Sequence, residues 1–195
     1  MSKRILIIQG HPDSTNEHLC HGLAGAYAHG AREAGFTVDT IDVGALDFPI
    51  LRSGEDWQNE EAPNSLKDAQ KKVLNADHLM IIYPLWLGTM PALLKAFLEQ
   101  VLRPHMVPGD TANLCHLGSL LKGKSARIIV TMGMPALAYR LWFRMHSLKS
   151  LQRNILGFVG VGPIFSTLIG LVDKMPQNRA DKLMQKMITL GRSAR

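Results

Sequence analysis

Residues 5–18 read ILIIQGHPDSTNEH, and this stretch decides the fold. Ile5 to Ile8 form a short aliphatic run, typical of a strand that is buried on both faces. Gly10 and Pro12 interrupt the run, small hydrogen-bonding side chains occupy residues 13–16, and an apolar helical pattern is established by Leu19. The sequence therefore predicts a strand, a polar turn and a helix, which together form the first half of a βαβ unit.

The polar turn in this stretch has two interpretations. Its hydroxyl and amide groups adjoin a helix N-terminus, where free backbone N–H groups and the positive end of the helix dipole favour a phosphate. Alternatively, Ser14 or Thr15 only caps the helix. The stretch taken alone favours neither interpretation.

Strand-like and helix-like patterns alternate along the rest of the chain. Helices are predicted at about 16–34, where Gly35 ends the helix, and at 65–75, 91–102 and 177–190. Further strands are predicted at 36–41, 78–83, 126–131 and 156–161, and irregular segments at 44–64 and 103–124. This alternation indicates an α/β fold, a doubly wound parallel sheet with helices on both faces, in a single domain over residues 1–195.

Three segments that follow strand ends are rich in candidate binding residues: 9–18, 83–91 and 131–139. Ligands of open parallel sheets bind beyond the carboxyl ends of the strands. The predicted convergence of these segments favours the phosphate interpretation of the first one. In the second, Leu85, Trp86 and Leu87 place large apolar side chains on a loop, which suits a planar ring unless these side chains fold into the core.

Composition narrows the function classes. The two cysteines form no CxxC pair and the N-terminus does not resemble a signal peptide, which predicts a reducing, cytoplasmic location. The net charge of +6 comes without interleaved aromatic residues or a nucleic-acid motif, so no nucleic-acid partner is expected. The basic residues instead form a solvated face or attract an anionic dinucleotide.

Residues 155–172 lack charges but hold four glycines and Pro163, so we expect a strand over 155–162 and then an apolar loop, with no integral membrane span.

Two histidines three residues apart, His18 and His21, superficially resemble metal ligands. No cysteine or carboxylate completes a set, because Cys20 should point away from their side of the helix, so no metal is predicted.

Three motifs resemble the flavodoxin-like NAD(P)H dehydrogenase (quinone) family over residues 3–160. They are GHPDSTN, YPLWLGTMPALLKAFLEQV and VTMGMPALAYR, and the specific spacing is that of Pro84, Pro91 and Lys95. The resemblance implies a five-stranded sheet in the order 2-1-3-4-5, bound FMN or FAD, and hydride transfer from NADH or NADPH to a quinone-like acceptor. It also implies a homodimer, which we expect to place Trp57 or the 103–124 segment at or near the interface.

The same resemblance assigns site residues. The flavin phosphate would be wrapped by a first set: His11, Ser14 and Asn16. The flavin ring would contact a second set: Pro84, Leu85, Trp86, Leu87, Thr131, Met132 and Gly133. The catalytic candidates are Tyr139 and His146, although the spacing of His146 differs by about one residue from the family's. The chain also departs from the family at Met134, where a second glycine is frequent, and at Gly88, where an aromatic residue is frequent.

A non-enzymatic alternative follows from the same family. The chain would then carry electrons, or serve as a flavin-containing ancillary protein that regulates a membrane transporter or redox partner. Basic residues over 140–153 would make a peripheral contact with an anionic membrane surface in that role.

Overall fold

A parallel five-stranded sheet in the order β2-β1-β3-β4-β5 forms the centre of the protein. The computed structural model describes residues 2–59, 61–104 and 117–195. The strands are β1 (Arg4–Gln9), β2 (Thr37–Asp42), β3 (His78–Pro84), β4 (Ser125–Thr131) and β5 (Ile164–Ile169). The predicted fold class and strand order are confirmed, and β3 is central as its apolar sequence suggests.

Helices cover both faces of this sheet. They are α1 (Leu19–Glu33), α2 (Gly54–Asn59), α3 (Lys67–Asn75), α4 (Ala92–Val101), α5 (Ala136–Leu141), α6 (His146–Ser150) and α7 (Gln177–Ser193). The hydrophobic core has two parts, one on each face of the sheet, because side chains along β1 point alternately to the two faces. Ile5 and Ile7 pack with α1 and α7, whereas Leu6 and Ile8 pack with α3 and α4. Among the described residues, no helix has the length and apolar character that a membrane crossing requires.

The position of the fifth strand was predicted wrongly. Residues 151–157 form a π-helical segment, and β5 begins at Ile164 after the loop that contains Gly162 and Pro163. Leu151, Leu156 and Val159 are buried at helical rather than alternating spacing. A short apolar run is compatible with either a strand or a buried helical turn. The segment expected to be an apolar loop therefore supplies the edge strand.

The first helix begins at Leu19, three residues later than predicted. Its N-cap is His18, whose side chain forms a reciprocal capping arrangement with His21, and Gly35 follows its end at φ +81°. The alternative that Ser14 or Thr15 caps this helix is therefore wrong. The remaining helix predictions differ from the structure by a few residues at most, and the predicted 44–64 loop contains α2. Residues 105–116 of the predicted irregular segment 103–124 lie outside the described residues.

His78 lies at the start of β3, at the edge of the sheet opposite the strand carboxyl ends. Its side chain is fully buried, and Nδ1 lies 2.7 Å from Ser125 Oγ. Burial, followed by the nearby charges of Lys3 and Arg127, lowers the pKa of His78 to about 3. The folded protein therefore holds this imidazole in its neutral form.

Acid should destabilise the protein through His78. Below about pH 6.5 His78 is protonated in the unfolded chain, whereas in the folded protein it stays neutral down to about pH 3. The free energy of unfolding therefore falls as the pH falls. This group contributes about 2–3 kcal/mol of the loss between pH 7 and pH 4.5. His78→Asn keeps a polar partner for Ser125 but cannot titrate, so urea unfolding at both pH values should show a correspondingly smaller loss. The exposed His29→Asn is the control, and an unchanged pH dependence in His78→Asn would contradict the assignment.

Candidate flavin site at the strand carboxyl ends

The carboxyl ends of β1, β3 and β4 border a cavity of about 410 Å³. Seven of the sequence-predicted residues line it: His11, Pro84, Leu85, Trp86, Thr131, Met132 and Gly133. Five residues that were not predicted as site residues complete the wall: His18, Leu19, Cys20, Val172 and Asp173. The predicted convergence of three loops at this edge is thus present, and its size is that of a small-molecule site.

The loop after β1 gathers hydrogen-bond donors around one carboxylate. Asp13 accepts two hydrogen bonds from Thr15, one from its backbone N–H at 2.8 Å and one from its side-chain hydroxyl at 2.6 Å. It accepts a third from the Asn16 side-chain amide at 2.9 Å. His18 Nε2 lies 2.8 Å from the same carboxylate. The hydrogen bonds from these partners, of which the one from Thr15 has the largest effect, hold the pKa of Asp13 far below its usual range. The loop is therefore organised to stabilise an anion.

Ser14, by contrast, is exposed and forms no side-chain hydrogen bond with any described residue. Of the predicted phosphate residues, the structure places Asn16 in the donor cluster and His11 in the cavity wall. Thr15 and His18 join the cluster without having been assigned to the phosphate. Their signal in the sequence was their position just before the helix, which also suits ordinary capping.

His11, His18 and His21 lie together beside the cavity. The rings of His11 and His18 are stacked with centroids 3.8 Å apart, and His21 is 5.7 Å from His11. His11 Nδ1 accepts a hydrogen bond from the Asp13 backbone N–H at 3.1 Å. Burial, and then the neighbouring His18, lower the pKa of His11, so its ring is neutral near pH 7. The described residues contain no group of three ligands placed to hold a metal ion.

The loop after β3 is a tight hairpin. The backbone N–H of Trp86 donates to Thr89 O at 2.9 Å, and that of Thr89 donates to Trp86 O at 3.0 Å. Leu87 and Gly88 between them have φ values of +45° and +78°. The leucine side chain is fully exposed, in a backbone conformation that favours glycine or asparagine. Leu87 does not line the cavity, so its conformation shows backbone strain in the hairpin, and its contact with a flavin ring stays a prediction.

Leu87→Asn is expected to stabilise the flavin-free protein by about 0.5–1 kcal/mol, since asparagine suits this turn. The substitution should also weaken flavin binding by about tenfold, because it removes an apolar contact from the predicted ring site. Urea unfolding and flavin titration measure the two effects. Leu171→Asn is the matched control: it is also an exposed leucine at positive φ, 55°, and should gain stability without losing flavin affinity. A Leu87→Asn protein that is no more stable than wild type would contradict the strain argument.

The loop after β4 presents backbone donors. Met132 N–H donates to Ile169 O at 2.8 Å, but neither Gly133 nor Met134 donates its N–H to another described residue. A Cβ at residue 133 would come within 2.4 Å of the Asp173 carboxylate, so a larger residue there would displace the Asp173 side chain. Gly133 lines the cavity and its N–H group remains available there, while the N–H group of Met134 follows it along the chain.

Cys20 links the first helix to this loop. Its sulfur lies 3.3 Å from Thr131 Oγ1, and burial raises the pKa of the thiol to about 11. Cys20 is thus a neutral wall residue and not a nucleophile.

The two predicted catalytic residues do not line the cavity. Tyr139 is buried, its hydroxyl lies 2.6 Å from Ser147 Oγ, and it accepts a hydrogen bond from Leu148 N–H at 3.2 Å. His146 is exposed at the start of α6. Their catalytic role stays a prediction.

Comparison with known proteins agrees with this geometry. A family model described as the flavodoxin-like fold matches residues 3–191. An uncharacterized NAD(P)H oxidoreductase of Haemophilus influenzae is 28% identical over 95% of this chain and 91% of its own length. An FMN-dependent NADH:quinone oxidoreductase of Listeria innocua is 28% identical over 72% of this chain and 70% of its own. The solved structure of an NAD(P)H:quinone oxidoreductase from Methanothermobacter marburgensis superposes with a TM-score of 0.77 at 20% identity, covering 99% of this chain and 96% of that one.

Proposed function

The chain belongs to the family described by the flavodoxin-like fold, and from this we propose that it is an FMN-dependent NAD(P)H oxidoreductase with a quinone-like acceptor. The observation that carries the proposal is the cavity where the loops after β1, β3 and β4 meet. The oxidoreductase names of the relatives support it, and FMN is preferred to FAD because the Listeria innocua relative is named for FMN. The electron-carrier or ancillary alternative is not favoured. A cytoplasmic location is proposed with it.

The donor cluster around Asp13 suits the FMN phosphate. Thr15, Asn16 and His18 already bind one carboxylate, and a phosphate presents more oxygens to the same kinds of donor. Phosphate and Asp13 would compete for these groups. His11, neutral and packed against His18, supports the loop from the cavity side.

The remaining wall suits a flavin ring. Leu85 and Trp86 offer apolar surface, and the free N–H groups of Gly133 and Met134 can stabilise negative charge on a bound ring. The bound flavin would supply the redox chemistry, accepting a hydride from the nicotinamide and returning two electrons to the acceptor. The protein itself binds, orients and shields the reactants. Its net charge of +6 favours the approach of an anionic dinucleotide.

A homodimer is proposed as well. Trp57 lines a second cavity of about 480 Å³ together with Leu98 and Phe158, on the face covered by α4. This apolar cleft supports the prediction that Trp57 lies at or near a subunit boundary. Of the other predicted interface segment, 103–124, residues 105–116 lie outside the described residues.

Steady-state turnover tests the proposed activity. Protein loaded with FMN should oxidise NADH or NADPH in the presence of a water-soluble quinone, forming one hydroquinone for each nicotinamide oxidised. Flavin-free protein is the control and should be inactive. FMN-loaded protein that binds flavin fully, but oxidises neither nicotinamide with any quinone or azo acceptor, would instead support the non-enzymatic alternative.

A further inference from the structure

An exposed apolar surface lies on and directly after α5. Leu137, Leu141, Trp142 and Phe143 are exposed to 64%, 67%, 83% and 43% of their area, and we call these four residues the α5 patch. Contiguous exposed apolar side chains, unlike scattered ones, mark interaction surfaces. The proposed oxidoreductase chemistry uses none of the four.

The fold holds this patch outward. Leu137 and Leu141 are one helical turn apart on α5, while Tyr139 between them is buried and anchors the helix through Ser147 and Leu148. After Phe143 the chain turns sharply, because Arg144 and Met145 both have left-handed backbone angles, with φ of 49° and 54°. The patch therefore ends at a sharp turn of the backbone.

Positive charge surrounds the patch. Arg140 and Arg144 are exposed within it, and Lys149 follows on α6. From the start of α5 to residue 172 the chain contains no acidic residue but four basic ones: Arg140, Arg144, Lys149 and Arg153. An exposed tryptophan and leucines beside arginines are the composition of surfaces that bind at a membrane–water interface.

We propose that the α5 patch docks this protein on membranes rich in anionic lipid. Trp142 and the leucines would enter the headgroup boundary, and Arg140 and Arg144 would pair with lipid phosphates. A second copy of the chain fits the patch less well, since a two-fold interface centred here would bring Arg140 and Arg144 of both copies together. Because α5 begins three residues after Gly133, docking would hold the candidate flavin cavity close to acceptors in the membrane.

Vesicle co-sedimentation of the full-length, FMN-loaded protein tests the proposal. The protein should bind vesicles of phosphatidylcholine with one-third phosphatidylglycerol, more weakly as salt is raised, and should not bind phosphatidylcholine alone. Arg140→Gln with Arg144→Gln should weaken binding about 30-fold, since each basic residue near the surface contributes a factor of about five. Trp142→Ala should weaken it about tenfold.

Matched controls lie elsewhere on the surface. Lys182→Gln with Lys186→Gln removes the same charge from exposed positions of α7, and Ile50→Ala removes an exposed apolar side chain; both should bind like wild type. Equal binding to both vesicle types, no binding, or an equal loss in the lysine control would overturn the proposal. Light scattering provides a further test: if Trp142→Ala separates subunits but leaves vesicle binding intact, the patch is a subunit contact. Should Trp142→Ala fail to fold, the arginine double variant still decides.

Discussion

Alanine at both Thr15 and Asn16 is expected to weaken FMN binding about 100-fold and to leave the fold intact. Each side chain donates a hydrogen bond to the Asp13 carboxylate, at 2.6 Å and 2.9 Å, and the proposal gives the same donors to the FMN phosphate. A hydrogen bond to a charged group contributes about 1.5–3 kcal/mol, so two lost bonds correspond at the lower value to about two orders of magnitude in Kd. Titration of flavin fluorescence measures the change.

Ser14→Ala is the matched control for that experiment. The family resemblance assigns Ser14 to the phosphate together with Asn16, whereas the structure leaves its side chain without a hydrogen bond to any described residue. Ser14 stays a phosphate candidate, and Ser14→Ala should weaken FMN binding less than the double variant, because it removes one hydroxyl that lies outside the Asp13 cluster. Full flavin occupancy in the Thr15 and Asn16 double variant after dialysis would show that this loop does not hold the phosphate.

Tyr139→Phe and His146→Gln are each expected to slow turnover by roughly tenfold to a thousandfold, if each residue provides a hydrogen bond or a proton during electron transfer. Flavin content should stay near normal in Tyr139→Phe, because the ring and its packing remain. Stopped-flow mixing with NAD(P)H and then with a quinone resolves the two half-reactions.

Ser147→Ala separates chemistry from architecture at Tyr139. The Tyr139 hydroxyl lies against Ser147 and accepts the Leu148 N–H, so Tyr139→Phe should also cost about 1–2 kcal/mol of stability. Ser147→Ala keeps the phenol and the Leu148 bond, and should retain most of the rate. Wild-type rates in both half-reactions for Tyr139→Phe and His146→Gln would leave these residues with a packing role alone.

The centre of the sheet was predictable because the sequences of its central strands are uniformly apolar. Ile5 to Ile8 and residues 79–83 are apolar throughout, which fits a strand covered on both faces, and the observed order agrees with the family resemblance. The edge strand was not predictable in this way. Ser166 and Thr167 interrupt its apolar pattern, while the uniform run at 155–161 forms buried helical turns instead. Composition alone does not distinguish these two outcomes over seven residues.

The site residues divide in the same way. Some could be predicted from the local sequence pattern, and others depend on how distant parts of the chain fold. The segments directly after the strands were found because strand ends can be predicted from hydrophobicity, whereas His11 and Gly133 within them were assigned through the family resemblance. Val172 and Asp173 were missed because the strand before them was misplaced. His18 was considered only as a metal ligand, since its pairing with Asp13 depends on a turn that the sequence does not specify.

The flavin released from purified protein tests the central claim most directly. Denatured protein should release about one FMN per chain, identified by absorbance and mass, and anaerobic addition of NADH or NADPH to intact protein should bleach the flavin absorbance. Protein that carries no flavin, and takes up neither FMN nor FAD on reconstitution, would contradict the assignment of the cavity at the strand carboxyl ends.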